Sequence, residues 1–309
     1  MQCGRKKPNA NAAADDLLTS SSDLVDHAGR WMPPDSHGAS GSTNAPSHRA
    51  SGNATALHPH RPVTQLSLAI ATCCRFQYLS NAVFQYLRNP YVAEVIVTDD
   101  CRTDALALDA LAANISLPAD LRARLILVPN TKRLWPFRNK YAAVAASRPG
   151  AWIALLDSDN FAPLDTYFAP LFEHWAARYN RRPDKALIFQ PSNFAPGKGS
   201  GLPAAGMRYD RAQWQAQVAG GRSVIANAGN HVFQRETALG AWRSLAESSD
   251  QAGRDGRESL LINNLLFEHG AEMEVVTKMT YVHRVTGDSF FNSKDANKRR
   301  ETVDHGVKH

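Results

Sequence analysis

The hydrophobic pattern divides the chain at about residue 63. Residues 1–62 are rich in Ala, Ser, Asn, His, Gly and Pro and contain few large apolar side chains. Such a segment buries too little apolar surface to offset the entropy lost on ordering, so we predict a disordered tail. Beyond it, apolar and amphipathic stretches predict a single folded domain over residues 63–292, followed by a basic extension over 293–309.

Within the predicted domain, short apolar runs alternate with helical patterns. We predict strands at 65–74, 94–100, 124–130 and 151–157, and helices between them at 79–89, 104–115 and 138–148. Strands that alternate with helices form parallel βαβ units. The predicted fold is therefore α/β, with a mostly parallel, Rossmann-like central sheet flanked by helices.

The pattern is less regular in the second half of the chain. It predicts helices at 171–180 and 257–270, strands at 185–192 and 272–283, and a strand or loop that turns into a helix within 226–245. The stretch 196–206, PGKGSGLPAAG, has the composition of a mobile loop. We interpret it as an active-site flap.

Polar residues follow three of the predicted strands. Cys73 to Arg75 follow the first strand, Asp99 and Asp100 end the second, and Asp157 and Asp159 end the fourth. Alternate residues of an extended chain point the same way, and paired carboxylates suit a hard divalent cation. The alternative is a solvated Asp-Ser-Asp turn. Because ligands of such sheets bind beyond the carboxyl ends of the strands, we predict the binding site at this rim.

Composition and charge narrow the class of ligand. The formal net charge is +6, but no dense run of Lys and Arg with interleaved aromatic residues is present. An anionic small molecule therefore fits better than nucleic acid. No apolar run approaches the length that spans a bilayer, and no signal-peptide pattern is seen.

The four cysteines, Cys3, Cys73, Cys74 and Cys101, show neither CxxC spacing nor a disulfide framework. Cys73 and Cys74 are adjacent and cannot easily bridge each other. We therefore expect a soluble protein of a reducing compartment, the cytoplasm. A soft-metal site at Cys73, Cys74 and Cys101 is the less favoured interpretation, because no fourth suitable ligand is near them.

Several motifs follow one another in a set order. They are Ala71 to Arg75 (ATCCR), Thr98 to Asp104 (TDDCRTD), Phe137 to Lys140 (FRNK) leading to Asp159, then Glu258 twelve residues before Gly270, and His283. This order and spacing resemble those of the family 2 inverting glycosyltransferases, which have the GT-A fold. The similarity covers about residues 65–290.

The resemblance implies a GT-A-like fold and transfer of a sugar from a nucleoside diphosphate sugar, most often a UDP-sugar, to a glycan or other hydroxyl acceptor. It implies Mn²⁺ or Mg²⁺ as cofactor, with Asp159, His283 and Asp157 as metal ligands. The implied nucleotide-sugar contacts are Thr72, Arg75, Asp99, Asp100, Arg138, Asp157 and Ser158. Asp159 is the first choice as metal ligand and Asp157 as ribose contact. The implied catalytic base is Glu258, with Asp255 as its rival.

Each of these residues also has a structural interpretation. Asp99 or Asp100 could form an Asx turn and leave the other functional. Arg138 could brace the following helix, and His283 could be a buried strand histidine. Glu258 could be a charge favoured at the N-terminus of a helix.

The chain also departs from the family pattern. Cys73 and Cys74 replace an aromatic residue and an asparagine, and Ser259 replaces the acid that follows Glu258 in the family. Two other functions remain as alternatives. A sugar nucleotidyltransferase would carry a glycine-rich loop after the first strand, which ATCCRFQYL lacks. A non-catalytic nucleotide-sugar or carbohydrate-binding protein would bind without turnover. The pattern contains no signal for the oligomeric state.

Overall fold

The structure is a computed structural model that describes residues 65–178, 186–195, 205–219, 228–248 and 258–283. The predicted tail, the predicted C-terminal extension and residues 196–204 of the predicted flap lie outside these residues. Asp255, the rival base, lies outside them as well. The description below concerns the described residues.

The first half follows the predicted alternation of strands and helices. Its elements are β1 (Leu66–Thr72), α1 (Phe76–Arg88), β2 (Val92–Asp99), α2 (Thr103–Asn114), α3 (Ala119–Ala123), β3 (Leu125–Pro129), α4 (Trp135–Ala146) and β4 (Trp152–Asp157). All four predicted strands and the three predicted helices are confirmed, and only the short α3 was not predicted. Helix α4 begins before its predicted start because Pro136 lies in its first turn, where proline has a suitable φ.

The second half of the chain is less regular and contains several very short strands. Its elements are β5 (Asn160–Phe161), a π-helical turn (Leu164–Phe168), α5 (Ala169–Arg178), β6 (Leu187–Ala195), β7 (Arg208–Tyr209), α6 (Arg211–Ala219), β8 (Val232–Gln234), α7 (Arg235–Ser248), α8 (Glu258–Glu268) and β9 (Glu272–His283). Helix α6 was not predicted, although its start carries a signal. Asp210 and Gln213 exchange side-chain to backbone hydrogen bonds of 2.8 and 3.0 Å, which is a capping box.

The described strands form one nine-stranded sheet in the order β3-β2-β1-β4-β8-β6-β9-β5, with β7 paired to β9. Strands β1 to β4 pair in parallel, and so do β6 and β9. Strand β8 is antiparallel to both β4 and β6. Because the longest ladders are parallel, the predicted α/β class with a mostly parallel sheet is confirmed.

The core lies on both faces of the sheet. On one face Leu68 and Ile70 of β1 belong to an apolar cluster that also contains residues of α1, α2 and α5. On the other face Ile153 and Leu155 of β4 pack with residues of α4, α7 and α8. Strands that are covered on both faces read as continuous apolar runs, which is why β1 and β4 stand out in the sequence. None of the described helices is long and apolar enough to cross a bilayer.

Candidate active site

The parallel register brings three strand ends together. Thr72 at the end of β1 lies opposite Asp99 of β2, and its neighbour Ala71 lies opposite Asp157 of β4. The carboxyl ends of β1, β2 and β4 therefore form one rim. The predicted site residues of the first half of the chain all lie on or next to this rim.

Asp157 is held by a lysine that the sequence analysis did not single out. The ammonium nitrogen of Lys140, on α4, lies 2.7 Å from Asp157 Oδ1 and 3.5 Å from Glu258 Oε1. The Lys140 side chain is 3% exposed. Burial alone would lower the pKa of this ammonium, but the carboxylates of Asp157 and Glu258 more than offset the effect and raise it above its usual value. Lys140 therefore stays charged and joins the predicted Asp-x-Asp motif to the predicted base.

Gly229 packs against the other side of Asp157. Its carbonyl oxygen accepts a hydrogen bond from the Asp157 backbone N–H at 3.1 Å. A Cβ at position 229 would lie 1.9 Å from Asp157 Oδ2, which no side chain tolerates. The carboxylate of Asp157 is thus confined between the Lys140 ammonium and a position that must be glycine.

Asp159 and His283 approach each other through the short strand β5. Asn160 pairs with His283 across β5 and β9, and Asn160 Oδ1 lies 2.8 Å from His283 Nδ1. The Asn160 amide also donates from Nδ2 to the carbonyl of Gly229 at 3.1 Å, and this orients the amide. His283 Nδ1 must then be the donor, so a neutral ring keeps its lone pair on Nε2, as a metal ligand requires.

Three charged side chains influence the pKa of Asp159. Burial, and then the carboxylate of Asp157, raise the pKa of Asp159, while the charges of Arg75 and His283 act to lower it. A carboxylate oxygen and an imidazole nitrogen are suitable donors for a divalent cation. Asp159 and His283 therefore interact electrostatically and carry donors of the kind that a divalent cation binds, but among the described residues the predicted ligands Asp157, Asp159 and His283 do not bring three donor atoms within 4.8 Å of one another.

Asp99 is fully buried and engaged within the protein. Its two carboxylate oxygens accept hydrogen bonds from the backbone N–H groups of Cys101, Asp104 and Ala105 at 2.8 to 3.0 Å. These bonds satisfy backbone donors at the start of α2. The geometry is that of the Asx-turn alternative, in which Asp99 shapes the turn after β2.

Asp104 and Thr72 form a second internal contact. Thr72 Oγ1 donates to Asp104 Oδ2 at 2.6 Å, and the backbone N–H of Arg75 donates to the same oxygen at 2.7 Å. Burial raises the pKa of Asp104, against the hydrogen bonds from Thr72 and Arg75 that act to lower it. The Thr72 hydroxyl is therefore used to brace the first turn.

Asp100 and Asn139 connect the rim to α4. Asp100 accepts hydrogen bonds from the backbone N–H groups of Leu134 and Trp135 at 2.9 and 2.7 Å. Asn139 donates to the carbonyls of Thr72 and Thr98 at 3.1 and 3.2 Å. Asn139, beside the half-buried Arg138, was not predicted as a site residue. The family-like FRNK run thus contributes Asn139 and Lys140 to the internal structure of the rim.

The expectation that the chain lacks disulfides is wrong. Cys73 and Cys101 form a disulfide bond with a Cα–Cα distance of 5.0 Å. The pairing is possible because β1 and β2 are parallel neighbours, so the turns that follow them lie side by side. The prediction of a cytoplasmic location rested partly on the expected absence of disulfides and loses that support.

Solved structures with a similar fold were found at low sequence identity. The crystal structure of TarS 1-349 from S. aureus has 12% identity and a TM-score of 0.49, with 71% of this chain and 60% of that chain covered. The crystal structure of GalNAc-T7 with UDP, GalNAc and Mn²⁺ has 15% identity and a TM-score of 0.48, with 78% and 48% covered. The chain thus spans less than two thirds of the length of either structure. Among curated proteins, none matches the chain.

The family comparison concerns the stretch of the chain that contains the rim. Residues 67–180 match the model of the family described as glycosyl transferase family 2. This stretch runs from β1 beyond the end of α5 and includes the Asp-x-Asp motif and Lys140. Over residues 67–180 the chain is therefore similar to glycosyl transferase family 2, which confirms the resemblance for the motifs that lie in this stretch.

Proposed function

We propose that the chain is a metal-dependent glycosyltransferase. It transfers a sugar from a nucleoside diphosphate sugar, with a UDP-sugar as first choice, to a hydroxyl group of a glycan or another acceptor, with inversion at the anomeric carbon. The single observation that supports this best is the position of Asp159 at the end of β4, inside the stretch that matches family 2 and directly before Asn160, whose side chain contacts His283. A carboxylate and an oriented imidazole at the rim of a parallel sheet suit a metal–diphosphate site.

Asp159 and His283 would hold Mn²⁺ or Mg²⁺. When bound, such an ion supplies positive charge that offsets the charge gathering on the diphosphate as the glycosidic bond breaks. Asn160 holds His283 in the tautomer with a lone pair on Nε2, so the ligand is oriented before the ion arrives. Arg75, whose charge acts on Asp159, and Arg138 would add positive charge for the diphosphate.

Asp157 has a different role from Asp159. Its Oδ1 is bound to Lys140, and its side chain is 28% exposed. We assign its exposed edge to a ribose hydroxyl, with Ser158 next to it in sequence. Lys140 is a positioning residue for this contact, because it fixes the carboxylate from the buried side.

Glu258 is the proposed base for the acceptor hydroxyl. An inverting transfer needs one group to take the proton of the incoming hydroxyl. Glu258 opens α8 and shares the Lys140 ammonium with Asp157, which places it beside the proposed ribose contact. Asp255, three residues earlier in the sequence, is the alternative base.

One observation favours a second candidate, a nucleotide-sugar-binding protein without turnover. The Glu258 side chain is only 9% exposed and faces a buried ammonium. In addition, the acid that follows it in the family is Ser259 here. In this alternative, Glu258 and Lys140 form a structural ion pair, and no base reaches the acceptor.

A single set of measurements separates the two candidates. Donor binding is measured by calorimetry for a panel of nucleoside diphosphate sugars with and without Mn²⁺. Turnover is measured as nucleoside diphosphate release and, for any product, by the NMR coupling of its anomeric proton. Metal-dependent binding together with turnover and an inverted product supports the transferase. Tight binding without release for every donor and acceptor supports the binding protein instead.

The same measurements on two variants test whether Glu258 is the base. Glu258→Gln is expected to keep donor affinity and to lose turnover by a factor of about 100 or more, in the range typical of a lost general base. Glu268→Gln is the matched control, because it lies on the same helix with a side chain 54% exposed. Unchanged turnover in Glu258→Gln would move the base to Asp255.

A further inference from the structure

A cluster of three cysteines lies on the rim apart from Asp159 and His283. We call Cys73, Cys74 and Cys101 the thiol cluster. All three are half-buried, and their sulfur atoms lie within 4.8 Å of one another. Cys73 and Cys101 are joined by a disulfide, and Cys74 is also disulfide-bonded, so no described cysteine is free. The thiol cluster has no part in the sugar transfer proposed above.

The backbone brings these sulfur atoms together in an unusual way. Neighbouring residues of an extended chain point to opposite sides, which would separate Cys73 from Cys74. Cys74 instead has a φ of +56°, in the left-handed region that side chains other than glycine rarely adopt. Arg102, directly after Cys101, has a φ of +64°. One unfavourable conformation thus lies within the cluster and another directly after it, as is common where a local geometry has a function.

The spacing fits a metal ion bound by thiolates. Four sulfur ligands around zinc, at bonds of about 2.3 Å, are about 3.8 Å from one another. The sulfur atoms at positions 73, 74 and 101, which lie within 4.8 Å of one another, are close to this separation. Arg75 and Arg102 are adjacent in sequence to the cluster, and a cation near a cysteine favours its thiolate form. Three sulfur ligands leave one position of a tetrahedral site for a fourth donor.

We propose that Cys73, Cys74 and Cys101 form, in the reduced protein, a thiolate site for a soft metal ion such as Zn²⁺. In the structure these cysteines are disulfide-bonded, which is the oxidised form of the same site. Opening the Cys73–Cys101 bond takes two electrons and two protons from a dithiol, which is itself oxidised to a disulfide, and freeing Cys74 from its own disulfide takes two electrons and two protons from a second dithiol. Zinc binding then releases the thiol protons. The site is chemically distinct from the Asp159–His283 site, because soft sulfur ligands select Zn²⁺ over Mg²⁺ or Mn²⁺.

A zinc ion bound at this site would hold the turns after β1 and β2 together. These turns contain the Thr72–Asp104 contact and the Asp99 hydrogen bonds that shape the rim. Bound zinc or the disulfide would each hold these two turns at the same separation. The proposed zinc site depends only on the cysteine geometry and does not depend on the proposed sugar transfer.

The test uses the full chain and zinc itself. The chain is reduced with a dithiol, freed of reductant and metal, and titrated with Zn²⁺, and bound zinc is measured by elemental analysis. We expect about one zinc ion per chain. Co²⁺ in place of Zn²⁺ should show sulfur-to-cobalt charge-transfer absorption, which reports thiolate ligands. Reduced protein with free thiols that binds no zinc would overturn the inference.

Variants and the oxidised protein locate the site. Cys101→Ser and Cys73→Ser are expected to weaken zinc binding at least 100-fold, whereas Asp165→Ala, at an exposed position outside both sites, should bind zinc as wild type does. If a serine variant fails to fold, the oxidised wild-type chain serves the same purpose and should bind no zinc at the cluster. Zinc retained equally by the oxidised chain or by the serine variants would contradict the assignment.

Discussion

Two parts of the rim use acidic residues in opposite ways. At the ends of β1 and β2, Asp99, Asp100 and Asp104 accept hydrogen bonds from backbone N–H groups. At the ends of β4 and β9, Asp157 faces a lysine ammonium and Asp159 lies near Arg75 and His283. The first part satisfies the backbone of the turns, and the second part concentrates charge. The carboxylates of the first part are thus used mainly by the backbone of the turns, whereas those of the second part interact with charged side chains.

The largest expected effect on stability is at Lys140. Lys140→Met leaves the carboxylates of Asp157 and Glu258 without their buried cation, and breaking such an arrangement costs about 3–5 kcal/mol. The free energy of unfolding from urea titration measures the loss. Lys132→Met, at an exposed position just before α4, is the control and should change stability by less than about 0.5 kcal/mol. Wild-type stability in Lys140→Met would mean that the ion pairs add nothing.

Asp159→Ala is expected to reduce Mn²⁺-dependent donor binding about 100-fold or more, because it removes a proposed ligand while leaving the fold intact. Calorimetry with and without the metal measures the effect. Asp165→Ala, exposed on the π-helical turn, should bind as wild type does. The melting temperature of Asp159→Ala should not fall, since burial and Asp157 already disfavour the charge of Asp159. Retained metal dependence would remove Asp159 from the proposed site.

Asp99→Asn tests whether the acids at the ends of β1 and β2 hold the backbone of the turns in place. The change replaces one carboxylate oxygen by an N–H₂ group and so removes acceptors for the backbone N–H groups of Asp104 and Ala105, at a cost of about 1–2 kcal/mol. Asp109→Asn, exposed on the same helix α2, is the matched control. Metal affinity per folded molecule should stay at the wild-type value. A selective loss of donor affinity with unchanged stability would instead return Asp99 to the nucleotide contacts.

The smallest expected effect is the pH dependence contributed by Asp104. Because burial raises its pKa in the folded chain, folding favours the protonated form. The stabilisation is complete below the ordinary pKa of aspartate and is lost as the pH rises through the raised pKa. Wild-type stability relative to Asp104→Asn should therefore decline with increasing pH across the acid range, as measured by urea titration at several pH values. A parallel pH dependence in both proteins would contradict the assignment.

The sequence predicted the first half of the fold well because β1 and β4 are buried on both faces. Their apolar runs and the helical patterns between them follow from that burial. The second half was predicted less well, since β5 and β7 have only two residues each and leave no periodic signal. Helix α6 was missed despite the Asp210 to Gln213 spacing of a capping box, which is a local signal that could have revealed it.

The sequence predicted only part of the site, because local patterns do not reveal contacts between distant segments. Asp157 and Asp159 stand out because two acids follow an apolar strand. Lys140 and Gly229 do not stand out, because their roles depend on contacts with residues far away in the sequence. Lys140 meets Glu258 across 118 positions, and Gly229 is required only because the Asp157 carboxylate lies against it. The wrong expectation for the cysteines has the same cause, since Cys73 and Cys101 are 28 residues apart.

The sequence by itself determined the α/β class, the order of the first strands and the rim on which polar groups gather. These features follow from local periodicity and from the rule that parallel strands end at one edge of the sheet. Only the tertiary structure decided how each acid is used. Asp99 and Asp157 both end a strand, but backbone N–H groups surround the first and a buried ammonium meets the second. Partners of that kind come from segments that approach each other only when the chain folds.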